Sequence, residues 1–125
     1  MNKTTIITLL LIFSISYAEN DMLTLYGEHE LRSRGEDSSN LRDQCEILSK
    51  EKAIEEYVYE TYPNHVFTEE DRNLFLSALI PMVQNVEISF TEYLARGGIR
   101  IGLNLEISSM IIQNVVLPII GQLDD

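Results

Sequence analysis

The segment IRIGLNLEI, residues 99–107, is the stretch on which the fold depends. Apolar residues occupy every second position, which is typical of a strand with one buried face. A helix also fits this part of the chain, because Ile101, Leu105, Ser108, Ile112, Val115 and Ile119 follow at helical spacings. A strand needs a partner, and only residues 22–26 offer one. We therefore predict a helix over residues 103–117, ended by Pro118 and Gly121, with a strand as the alternative.

The preceding segment carries the clearest helical pattern in the chain. Acidic residues follow Thr68, a good N-cap residue, and they favour the start of a helix there. Two apolar stripes then follow at spacings of three and four: Phe75, Leu79, Met82, Val86, Phe90 and Tyr93, with Leu76, Ile80 and Val83 beside them. Pro81 predicts a kink or a break. Arg96-Gly97-Gly98 predicts the helix end.

An earlier helix is predicted from about Leu41 to the dipeptide Pro63-Asn64. Ser39 or Asn40 can cap its start, and the residue before a proline is pushed away from helical geometry. Apolar residues recur along this segment at spacings of three and four residues, as in an amphipathic helix. The pattern has one shift in phase between its two halves: Leu41, Cys45 and Leu48, then Ile54, Val58 and Tyr62.

These patterns together predict an all-α fold. We expect a single helical domain over residues 41–125, a small bundle of three to four helices, preceded by a flexible acidic arm over residues 19–40. The alternative is an α+β fold with a small two-stranded sheet, made by residues 22–26 and residues 99–107.

Residues 1–18 have the three parts of a secretory signal peptide. Lys3 is basic, residues 6–15 are apolar and uncharged, and Ser16-Tyr17-Ala18 ends in small residues at the cleavage positions. The alternative is an uncleaved anchor, but the apolar run is shorter than the roughly 20 residues of a membrane span. We predict export to the bacterial periplasm or the extracellular space, and the signal fits eukaryotic secretion as well. Polar residues within residues 99–120 argue against a membrane span in the mature chain.

The charge balance bears on the partners. The chain has 20 Asp and Glu against 9 Lys and Arg, a formal net charge of −11. Phosphate binding needs clustered cations, so nucleic acid is a poor partner. A basic protein partner is favoured, because complementary charge speeds association. The alternative is that the acidity only keeps a small protein soluble.

Cys45 is the only cysteine. An exported domain with one cysteine cannot form an internal disulfide. Three roles remain open for Cys45: a small buried hydrophobe, a disulfide to a second copy or a partner, or a reactive thiol.

No catalytic or metal-binding motif is present. His29 lies between Glu28 and Glu30, and His65 follows Pro63-Asn64, so neither has metal-ligand spacing. The sequence shows neither a nucleophile elbow nor a phosphate-binding loop. We therefore predict no enzyme activity, no cofactor and no metal.

The first function hypothesis is an exported, non-catalytic interaction protein. It would bind or neutralise a basic protein, or serve as a small subunit of an envelope or secretion assembly, and a homo-oligomer is compatible with the sequence. Glu51, Glu55, Glu56 and Glu60 are the predicted partner-binding residues, unless they are only a solvated helix face. A second hypothesis is a carrier of a lipid or another apolar ligand, held by the wide apolar helix faces. A third is an enzyme whose site is assembled only in space.

Overall fold

The computed structural model describes residues 21–33 and 38–121. The predicted signal peptide, residues 1–18, lies outside the described residues, as do residues 19–20, 34–37 and 122–125. Within the described residues, three strands and three helices follow one another: β1 (Met22–Leu31), α1 (Ser38–Thr61), α2 (Glu69–Leu79), β2 (Gln84–Tyr93), β3 (Ile99–Ser108) and α3 (Ser109–Gly121). Short 3₁₀ turns at Ile80–Met82 and Ala95–Gly97 precede and follow β2.

The three strands form one antiparallel sheet in the order β1-β3-β2, so β3 is central. β1 pairs with β3 along its whole length, from Met22 opposite Ser108 to Leu31 opposite Ile99. β2 pairs with the other edge of β3, with two irregularities, one between Gln84 and Glu87 and one between Ile88 and Phe90. β1 and β2 are therefore the two edge strands.

The all-α prediction is wrong, and the fold is α+β. Residues 99–107 form the central strand, and the predicted helix over residues 103–117 begins only at Ser109. The alternation of apolar and polar residues matches the strand: every odd-numbered residue of β3 from Ile99 to Ile107 is buried in the core, as expected for a strand with one buried face. The alternative pairing of residues 22–26 with residues 99–107 is found, inside a longer ladder and with a third strand. Residues 22–31 of the predicted flexible arm are thus part of the sheet.

The long helix predicted through Tyr93 is also wrong. α2 ends at Leu79, and Pro81 lies in a 3₁₀ turn, so the predicted break at that proline is confirmed. Beyond it, β-branched residues such as Val86 and Ile88 alternate with polar ones and form β2. Arg96 and Gly97 have positive φ angles of 68° and 81° and connect β2 to β3, so they close a hairpin rather than a helix.

The predicted end of α1 and the predicted start of α2 are confirmed, whereas α1 begins at Ser38, so that Ser39 and Asn40, the predicted caps, lie inside the helix. α1 ends at Thr61, just before Pro63. Thr68 caps α2 through two reciprocal hydrogen bonds: its hydroxyl accepts from the Asp71 backbone N–H at 3.1 Å, and its own N–H donates to the Asp71 carboxylate at 3.1 Å.

The core lies between the sheet and the helices. α1 packs across β1 and β3, while α2 and α3 contact each other and complete the helical layer. The helices contribute buried residues such as Ile54, Val58, Phe75, Leu79 and Ile112. None of the described helices is both long and apolar enough to cross a membrane.

Candidate functional site

The face of the sheet that points away from α1 is polar and solvent-accessible. Because the odd-numbered residues of β3 are buried in the core, its even-numbered residues and their partners on β1 and β2 lie on the opposite face. We call this surface the open face. Its residues are Thr24, Tyr26, Glu28 and Glu30 of β1, Glu87, Phe90 and Glu92 of β2, and Arg100, Gly102, Asn104 and Glu106 of β3.

Arg100 lies at the centre of one end of the open face. Its Nε is 3.2 Å from the carboxylate of Glu28 on β1, and one terminal nitrogen is 2.7 Å from the carboxylate of Glu92 on β2. Its guanidinium also lies 5.3 Å from the centre of the Phe90 ring. One cation thus links side chains from all three strands.

The open face remains acidic despite Arg100. Five glutamates lie on it, and among the described residues Arg100 and Arg32 form ion pairs with them, with Arg32 lying 3.2 Å from Glu30. The Glu106 carboxylate accepts a hydrogen bond from the Asn85 side-chain amide at 3.0 Å, which leaves its charge in place. The net negative charge favours cationic ligands at this surface.

Two aromatic side chains approach Gly102 on the open face. A β-carbon at this position would overlap both the Phe90 ring and the Tyr26 hydroxyl. The Tyr26 hydroxyl donates to Glu28 at 3.2 Å, and partial burial together with this carboxylate raises the pKa of the Tyr26 phenol. The glycine therefore leaves room for the Phe90 ring and the Tyr26 hydroxyl at the middle of an otherwise charged surface.

The four glutamates predicted to bind a partner lie on two different sides of α1. Glu55 forms an ion pair with Arg72 of α2, and Glu51 lies on the same side of the helix. Glu56 and Glu60 instead border a surface depression beside β1. The structure thus brings these residues together only as two pairs.

Cys45 lies fully buried in the core. Its thiol donates to the backbone carbonyl of His29 at 3.1 Å, and burial raises the pKa of the thiol. A disulfide from Cys45 to another chain would require α1 to separate from β1.

The two histidines lie in different environments. His29 lies on the helix side of β1, opposite Ile101 of β3. The His65 ring packs against Phe67 with a centroid distance of 4.5 Å, and its Nε2 is 3.9 Å from the Asp71 carboxylate. Within residues 21–33 and 38–121, no three His, Cys, Asp or Glu side chains form a group that could hold a metal ion.

Sequence reasoning missed the open face, although a signal for it exists. Polar residues alternate with apolar ones along β3, as Arg100, Asn104 and Glu106 show, and Glu28 and Glu30 alternate in the same way along β1. Assigning these segments to flexible or helical structure hid that pattern. The wide helical face behind the lipid-carrier hypothesis does not form, because its second half is β2.

Comparison of the chain with family models, with curated proteins and with solved structures gave no match.

Proposed function

We propose that this chain is a non-catalytic binding protein that takes a basic polypeptide on the open face of its sheet. The observation that carries the proposal is the charge of this face: five glutamates lie on a solvent-accessible surface, and Arg100 is held between two of them, Glu28 and Glu92. The overall charge of −11 has the same sign. A basic partner would be attracted from a distance and then held by local ion pairs.

The proposal places binding on the sheet rather than on α1. Glu55 is already paired with Arg72, so part of the acidic surface of α1 is neutralised within the protein. Glu56 and Glu60 remain exposed on α1 and form the competing location.

Two charge-reversed variants separate these locations. Glu30→Lys with Glu87→Lys changes the open face, and Glu56→Lys with Glu60→Lys makes the same charge change on α1. All four positions are exposed, so both variants should keep the urea midpoint of the parent protein.

Binding of fluorescent oligolysine, measured by anisotropy at low and high salt, is the readout. We expect the open-face variant to weaken binding roughly tenfold at low salt, and the α1 variant to have a much smaller effect. A larger loss in the α1 variant would move the site to α1 and overturn the open-face proposal. No binding of oligolysine by the parent protein would overturn the function itself.

Export to the periplasm or extracellular space is part of the proposal and rests on residues 1–18. The test is the N-terminus of protein recovered from its native host. A mature chain that starts at Glu19 supports export, and a chain that retains residues 1–18 contradicts it.

A further inference from the structure

β2 is an edge strand with one apolar and one acidic side, and both sides are exposed. Ile88 and Tyr93 pair with buried residues of β3, so they lie on the helix side of the sheet, yet they are 42% and 68% exposed. Glu87 and Glu92 lie on the open face. α1 packs across β1 and β3, and this leaves the apolar side of β2 at the surface.

The outer edge of β2 offers backbone groups for pairing. Within the part of the chain that the structure describes, β3 is the strand that pairs with β2, on one side only. An edge of this kind is a template for an added strand, with backbone hydrogen bonds giving affinity and alternate side chains giving specificity.

We infer that β2 binds an extended segment of a basic partner as a fourth strand, one whose side chains alternate between basic and apolar residues. In that arrangement the basic side chains lie beside Glu87 and Glu92 on the open face. The apolar side chains lie beside Ile88 and Tyr93 on the other side. The inference rests on the proposed function and states how the basic polypeptide is held.

Two features of β2 disfavour a second copy of this chain as the added strand. Each copy carries a net charge of −11, so two acidic edges would repel each other. The irregularities between Gln84 and Glu87 and between Ile88 and Phe90 also divide the edge into short regular runs, which resist long edge-to-edge pairing. A short segment of opposite charge meets neither obstacle.

β1 is the other edge strand, but its surroundings differ. Its apolar side chains, such as Leu23 and Leu25, pack against the core beneath α1. An added strand beside β1 would therefore gain backbone hydrogen bonds without meeting an exposed apolar side. This difference makes β2 the preferred edge.

The test uses a short peptide of alternating lysine and valine, with a scrambled peptide of the same composition as control. We expect the alternating peptide to bind more tightly. Backbone N-methylation of every second residue of the peptide can be placed in two patterns, on the odd or on the even residues. One pattern should weaken binding by at least about tenfold and the other should have little effect, because only one set of N–H groups faces β2. Amide hydrogen exchange should slow in β2 and not in β1 when the peptide is bound.

A protein variant tests the apolar side. Ile88→Thr with Tyr93→Thr keeps residues suited to a strand, and it should remove the preference for the alternating peptide over the scrambled one. Oligolysine binding should persist in this variant, because Glu87 and Glu92 are retained.

The outcomes separate the inference from the proposed function. Equal binding of both peptides, no effect of either methylation pattern, or protection on β1 would overturn strand addition while leaving a basic-polypeptide binder. Binding of neither peptide nor oligolysine would overturn both. A dimer of the free protein at micromolar concentration, seen by sedimentation, would show that a second copy takes the edge and would overturn the inference.

Discussion

Replacing Gly27 with alanine tests the close packing of α1 on β1. An added methyl group would overlap the carbonyl oxygen of Ser49 and lie 2.8 Å from both the β-carbon and the backbone nitrogen of Ala53. No rotamer change relieves these contacts, because the atoms belong to the backbone of α1 or are fixed to it. Non-bonded heavy atoms pack at about 3.5–4 Å, so α1 must move away by about 1.5 Å to relieve the overlap with the Ser49 carbonyl.

The cost of this movement follows from two losses. The hydrogen bond from the Ser49 hydroxyl to the Ile101 carbonyl, 3.1 Å long, would stretch beyond reach, a loss of about 1 kcal/mol. Overpacking of a core contact costs about 1–3 kcal/mol more. Alanine also lowers the conformational entropy of the unfolded chain, and this stabilises the folded state by about 0.4–1 kcal/mol and offsets part of the loss. We expect a net loss of about 2–3 kcal/mol, a large share of the roughly 5–15 kcal/mol of a small domain.

Urea unfolding followed by far-UV circular dichroism measures the loss, with two other glycines as controls. Gly102→Ala would meet the Phe90 ring and the Tyr26 hydroxyl, which can rotate away on the open face, so we expect about 1 kcal/mol. Gly121→Ala meets no atom within 4 Å and should stay within about 0.5 kcal/mol of the parent. A free energy of unfolding for Gly27→Ala equal to the parent value, or higher than that of Gly102→Ala, would refute the reasoning.

Four further predictions concern stability and the buried thiol. Thr68→Ala should lower the free energy of unfolding by about 1 kcal/mol because both reciprocal hydrogen bonds with Asp71 depend on the hydroxyl or its geometry, while Thr68→Ser should stay close to the parent. Ser49→Ala should cost about 1 kcal/mol, since the buried hydroxyl lies 2.8 Å from the Cys45 carbonyl and 3.1 Å from that of Ile101; an unchanged urea midpoint would show that neither bond contributes. The Cys45 thiol should react with a thiol reagent only as fast as the protein opens, so rapid labelling of folded protein would contradict its burial. Burial raises the pKa of that thiol in the folded state, so its contribution to stability is present at neutral pH and is lost as the pH rises through the folded-state pKa. Cys45→Ala should therefore reduce the fall in the free energy of unfolding at alkaline pH. An identical fall in the variant and the parent would contradict this prediction.

The end of α1, the start of α2 and the break at Pro81 could be predicted because they depend on local chemistry. Pro63 limits α1, Thr68 caps α2, and Pro81 prevents α2 from continuing. Each effect acts within one turn of the chain, so one residue carries the information.

The strands could not be predicted with the same certainty because their stability depends on distant partners. The alternation in residues 99–107 indicates a strand. The sequence indicates only one short partner for it, residues 22–26, and for that reason a helix was predicted instead. The missing strand, β2, was hidden because Val86, Phe90 and Tyr93 also continue the helical spacing of α2. Apolar periodicity alone does not show that Pro81 separates two kinds of structure.

The open face depends on the same tertiary pairing. Glu28, Glu92 and Arg100 come from three strands, and only the order β1-β3-β2 places the arginine between the two carboxylates. Net charge predicted an acidic binding surface, and α1, with four glutamates close in sequence, was the natural choice. The glutamates of the open face come from three separate segments of the chain, so they do not form a charge cluster in the sequence.

The pairing of β1 with β3 has a consequence for the order of folding. Met22 lies opposite Ser108, so the first described strand finds its partner only after both helices α1 and α2 and strand β2 have been made. Contacts between residues so distant in sequence have a high entropic cost of loop closure and slow the folding of small domains. A chain still emerging from the ribosome has its apolar residues of β1 without the central strand that they need. We therefore expect β1 to stay unpaired until β3 has been synthesised, with its apolar side chains exposed during that interval.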